Sequence, residues 1–167
     1  MAAGATYEPI ATTTLGSAAA TITFSSIPST YTDLRLVVVP IGTTSANLYL
    51  TYNNDTSTIY SATSLSGNGT TAASGRRSSV GNILLTYVTN IQTATPTLRT
   101  VDIFSYAGST YKTALTEENS DLNGSGSVAR TVALWSSTSA INRLDVFVSG
   151  TTMAAGTIST LYGIKNA

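Results

Sequence analysis

At 167 residues the chain fits one domain, residues 1–167, large enough to bury a hydrophobic core of its own. Only 10% of residues are charged, eight basic against eight acidic; no basic field exists to gather nucleic acid, and Arg76-Arg77 is the sole adjacent basic pair. The absence of histidine and cysteine excludes the commonest general base, the thiol nucleophile, disulfides and the usual zinc sites.

The polar surface is supplied instead by 31 threonines and 22 serines. Threonine is β-branched and suits a pleated, half-exposed strand; serine favours turns, and strong helix formers are scarce. In chain order, Met1 to Ala11 reads as an extended N-terminal arm. It has neither the basic start nor the apolar stretch of a leader peptide, and no run approaches the ~18 apolar residues of a membrane span. Ala20 to Phe24 alternates apolar with polar, a half-buried strand. Ile27 to Tyr31 turns a corner at Pro28. Leu34 to Val39 begins alternating and becomes continuously apolar, the pattern of a central strand buried on both faces. Asn47 to Tyr52 alternates again and stops at the turn signal Asn53-Asn54-Asp55.

From Ser61 to Ser79 the periodicity fades, predicting a long loop with Arg76 and Arg77 exposed near its end. Asn82 to Tyr87 is a short strand, and Leu98 to Tyr106 an extended one with Val101, Ile103 and Phe104 as its apolar residues. Ala107 to Thr110 forms a hairpin-like turn into Tyr111 to Thr116, and Glu117 to Gly126 is a polar loop. Val128 to Trp135, Leu144 to Val148 and Thr157 to Ile164 close the domain. The sum is an all-β antiparallel β-sandwich of about eight to ten strands, jelly-roll-like, in one domain.

Four patterns touch on chemistry. Ser109-Thr110-Tyr111-Lys112 matches S-x-x-K, but the acyl-enzyme motif opens a helix, whereas residues three apart on a strand face opposite ways. Asp121 to Gly126 matches the first half of an EF-hand loop, yet position 12 is Val132 and no helices flank it; a turn is the plain reading, a weak cation site with Glu117 or Glu118 the other. Glu117 and Glu118 themselves would face apart on a strand. Asn54-Asp55-Thr56, Asn68-Gly69-Thr70 and Asn123-Gly124-Ser125 are sequons that so Thr- and Ser-rich a chain produces by chance. Among the aromatics, Trp135 reads as core or strand end before sugar platform, and Tyr49 and Tyr52 fall on opposite faces. No catalytic, cofactor-binding or metal-ligating residue is assigned, no cofactor is expected, and the chain is read as not an enzyme.

Tyr7 to Thr13, Ile22 to Leu34, Ala133 to Asn142 and the closing Leu161 to Lys165 together resemble small virion proteins of tailed bacteriophages, notably those infecting cyanobacteria. About Thr43 to Thr97 carries no such likeness. The resemblance implies a jelly-roll-like sandwich built into the phage particle, without a catalytic site. It leaves open a capsid decoration (cement) protein or a domain of a tail or fibre protein.

The expected function is a capsid decoration protein that binds the major capsid protein on the outside of the virion, made in the host cytoplasm. An electrically neutral surface suits an assembly subunit, so self-association, for instance as trimers, is expected, with no nucleic acid or membrane partner. The alternative is a tail-associated module recognising a host surface glycan, suggested by nine tyrosines and the loop at Ser61 to Ser79. A free lectin is a third reading, disfavoured by the missing leader peptide.

Overall fold

The computed structural model describes residues 6–93, 95–121 and 123–165. Among them are twelve strands and no helix. In chain order they are β1 (Tyr7–Thr14), β2 (Thr21–Phe24), β3 (Asp33–Val39), β4 (Leu48–Tyr52), β5 (Tyr60–Gly67) and β6 (Ala72–Val80). Then come β7 (Ile83–Leu84), β8 (Leu98–Phe104), β9 (Lys112–Asp121), β10 (Gly126–Trp135), β11 (Leu144–Val148) and β12 (Ile158–Ile164).

They form two antiparallel sheets, an eight-stranded one ordered β1-β12-β3-β8-β9-β10-β5-β6 and a four-stranded one ordered β2-β11-β4-β7. If the hairpins β5–β6 and β9–β10 are set aside, the halves β1-β12-β3-β8 and β2-β11-β4-β7 remain. The chain alternates between these halves except where β4 pairs β7, and its first and last strands lie side by side. That is the double Greek key of a jelly roll, here with one sheet widened by two hairpins.

The alternation of side chains explains why the sheets meet. In β3, Leu34, Leu36 and Val38 are buried while Arg35, Val37 and Val39 are half-buried, so the continuous apolar run resolves into one core face and one partly covered face. Val101 and Ile103 of β8 and Leu161 of β12 extend that core face. Ile22, Phe24, Leu48, Leu50, Leu144 and Val146 meet it from the small sheet. Each such side chain contributes about 1.5–3 kcal/mol by leaving water.

The structure corrects several readings. Ser61 to Ser79 is the hairpin β5–β6, Tyr60 pairing Val80 and Gly67 pairing Ala72. Its inward residues are small, Ala62, Ser64 and Gly75, because Tyr87 packs beneath: a Cβ on Gly75 would lie 3.0 Å from that ring. With small residues inward and Leu65 the one apolar residue that β5 turns outward, no apolar alternation remains to read. Likewise the polar stretch from Glu117 continues β9 to Asp121, and β10 already begins at Gly126. The strand count is therefore twelve rather than eight to ten. In Asn82 to Tyr87 only Ile83–Leu84 pairs. Of the segment read as an arm, residues 7–11 lie in β1, hydrogen-bonded to β12, and residues 1–5 lie outside the described residues.

Candidate functional site

The motif-like residues do not converge. Lys112 is fully buried at the start of β9, its Nζ donating to the carbonyls of Gly108 (2.7 Å), Thr110 and Thr138 (3.4 Å). Burial pushes its ammonium below the ordinary lysine range, but the group is spent on tying the turn to the loop after β10. No hydrogen bond joins it to Ser109 among the described residues. Asp121 accepts from the N–H of Asn123 (3.0 Å), and Asn123 and Gly124 adopt positive φ, the geometry of a tight hairpin turn. An open concavity of about 480 Å³ lies between this turn and Gly67–Gly69, lined by glycine and serine with Asp121 as its one carboxylate. Among the described residues no group of three or more Asp or Glu stands where it could hold a metal ion. Asn54, Asn68 and Asn123 of the sequons are exposed turn residues.

The central aromatics are core, not platform. Trp135 packs edge-on to Tyr52 (5.6 Å) and stacked with Tyr60 (6.3 Å), and its indole N–H donates to Asp55 Oδ2 at 2.8 Å. Tyr60 Oη donates to the Asp55 carbonyl and accepts from the Tyr52 N–H. Burial pushes the Tyr60 hydroxyl well above the ordinary tyrosine range. Tyr49 lies on the opposite face of β4, stacked on Phe147 at 5.4 Å. The Trp135 group is closed in the core, whereas Tyr49 and Phe147 form a half-buried stack of two rings on the other face of β4 and β11.

Glu117 and Glu118 face apart and serve different ends. Glu118, 3% exposed, sits 3.5 Å from Arg99, 1% exposed, across the β8–β9 pair. Glu118 also accepts the backbone N–H groups of Val88 (3.0 Å) and Thr89, while Arg99 donates to the carbonyls of Thr89, Leu98 and Asn119. Burial lowers the Arg99 pKa, opposed by the Glu118 charge. Together the two side chains staple the loop after β7 onto the large sheet. Sequence reasoning missed this pair, although Arg99 shares its face with Val101 and Ile103, which was the available signal.

Glu117 points to the outer face of the large sheet, and that face is the distinctive surface of the molecule. It exposes Leu65 (67%), Val132 (53%) and Val128 (51%), flanked by Leu98, Phe104 and Ile158. Two of its arginines pair with carboxylates of the face, Arg35 with Asp102 at 3.0 Å and Arg130 with Glu117, whereas Arg76, opposite Thr63 at the β6 end, is exposed without an ion pair among the described residues. Arg130 stands opposite Glu117 on one side and Leu65 on the other, Val132 opposite Leu115 and Thr63. The result is a broad sheet face that is partly apolar, with its charge compensated except at Arg76 on the β6 edge.

Comparison with protein-family models, with curated proteins and with solved structures gives no match.

Proposed function

We propose that this chain is a structural protein of a tailed bacteriophage virion, a capsid decoration protein that lays the outer face of its large sheet on the major capsid protein shell. The observation that carries the reading is the exposed row Leu65, Val128 and Val132 set among ion pairs already closed within the face. Burying the part of the face around Arg35 and Arg130 takes apolar surface out of water without stranding either charge, while Arg76 lies at the β6 edge, the rim of such a contact. Eight strands about 4.8 Å apart and about eight residues long on average give a face of roughly 900 Å², the scale of one side of a standard interface. The jelly roll supports the reading as an architecture used in viral capsids. Repetition of the contact over a shell would multiply a modest affinity.

The test is direct. Purified protein is mixed with expanded, tailless capsids, and the bound copies are counted by quantitative gel analysis. Saturable binding at many copies per shell, lost in the Leu65→Glu/Val132→Glu double variant, supports the reading; binding confined to tail fractions, or unaffected by that variant, overturns it.

A further inference from the structure

We propose that the free edge of β6 is a docking site for an extended acidic segment of another polypeptide, which adds to the large sheet as a further strand. β6 ends the sheet order and pairs only with β5. At the hairpin turn the N–H of Asn68 donates to the carbonyl of Thr71 at 3.2 Å. Counting from that bond along an antiparallel ladder, Ala73, Gly75 and Arg77 bond to β5, whereas Ala72, Ser74 and Arg76 turn their N–H and C=O groups outward. Among the described residues no backbone hydrogen bond takes up those outward groups. The opposite edge is unlike it. β1 carries Pro9, which has no N–H, and a bulge between Pro9 and Ala11, two devices that blunt an edge. β6 has no proline, and its only register shift lies at the far end, opposite Tyr60 and Ala62.

Charge selects the occupant. Arg35, Arg99, Arg130, Arg143 and Lys165 are each closed by a carboxylate. Arg76 is exposed and makes no hydrogen bond or ion pair among the described residues, and Arg77 reaches only Asn82 Oδ1 at 3.4 Å. Unpaired positive charge therefore sits at the middle of an open edge. Two copies joined antiparallel about that middle would set Arg76 against its counterpart, like charges directly opposite, which is destabilising. A strand bearing carboxylates gains the same main-chain ladder and meets opposite charge, the strand-addition mode of recognition. The small side chains at Ala72, Ser74 and Gly75 leave its approach clear.

The experiment titrates ¹⁵N-labelled protein with a blocked peptide alternating glutamate with valine and threonine, and with its lysine-for-glutamate counterpart. The acidic peptide is expected to bind and to protect the amides of Ala72, Ser74 and Arg76 from hydrogen exchange. Arg76→Glu should weaken it roughly fivefold, the scale of an exposed ion pair. Ser74→Pro deletes an outward N–H without touching the β5 ladder and should abolish binding with Arg76 in place. Equal binding of both peptides, or indifference to Ser74→Pro, overturns the proposal. Protection of the same amides without peptide, rising with protein concentration, also overturns it and assigns the edge to a second copy. No capsid enters the measurement, so its failure leaves the shell-docking reading standing.

Discussion

The ring of Tyr31 lies flat against Gly163, so close that a Cβ on that glycine would stand 2.3 Å from Tyr31 Cγ. Around this contact Tyr31 Oη donates to Glu8 (3.3 Å), Lys165 pairs with Glu8 (2.7 Å), and the Lys165 ammonium rests 5.5 Å from the ring centre. Three stretches far apart in the chain thus meet at one point, where the corner after β2 is pinned across β12 and β1.

Gly163→Ala should therefore cost about 1–3 kcal/mol, the usual penalty of overpacking. Urea unfolding measures it, and repeating the substitution in a Tyr31→Ala background should shrink the cost to a few tenths. Equal costs in both backgrounds would mean that the ring is not the obstacle.

Glu118→Ala should be among the most damaging single substitutions, at about 3–5 kcal/mol, because it strands a buried Arg99 and frees two backbone N–H groups. The double variant Arg99→Met/Glu118→Leu should be clearly more stable than Glu118→Ala alone. Amide exchange at Val88 and Thr89 should speed up in both, since both lose the staple. An unchanged midpoint for Glu118→Ala would sink this account.

Stability should fall in acid. Arg130 holds the Glu117 carboxyl below its ordinary range, as Lys165 does for Glu8. At Asp145 burial pulls upward, but hydrogen bonds from Arg143 and Thr23 outweigh it; at Asp55 those from Ser57 and Trp135 do the same. A carboxylate lowered on folding stabilises above its unfolded pKa, about 4, and that stability is lost as pH drops through the folded value. Asp102 runs the other way: burial outweighs Arg35 and raises it, so its contribution is present below about pH 4 and lost as pH rises through the raised value. Four lowered groups against one raised give a net decline below about pH 4. Thermal melts across that range check this, and Asp145→Asn should flatten the curve.

Val132→Glu alone should leave the melting midpoint nearly unchanged, within about 0.5 kcal/mol, because the side chain stands in water. Its effect should appear only in capsid binding. A variant that binds capsids as wild type does would remove Val132 from the docking face.

Strands with strong apolar patterning were legible: Leu144–Val148 coincides with β11, and Leu34 to Val39 lies within β3. The aromatic Trp135 announced itself as core because it ends an apolar strand. The widened half of the sheet was not legible. Ala62, Ser64, Thr116 and Thr131 face inward there, so small and hydroxylated residues do the work of apolar ones and the alternation disappears. Arg99 and Glu118 were not legible as a pair: only the register of β8 against β9 brings them together, and a sequence does not display register. The outer face was equally hidden, since Leu65, Val128 and Val132 join into one patch only once β5 lies beside β10.

The place of β12 has a consequence for how the chain reaches this fold. It follows every other described strand, yet it lies between β1 and β3 in the sheet, with Tyr7 paired to Ile164. Until Ile158–Ile164 leaves the ribosome, β1 has no strand to lie against and β3 keeps one bare edge. The hairpins β5–β6 and β9–β10 can zip locally in about 1–10 μs, but the seam closes only over a loop spanning nearly the whole chain. Folding on the millisecond-to-second scale of non-local β proteins is expected, with its slowest step at the seam that β12 closes between β1 and β3.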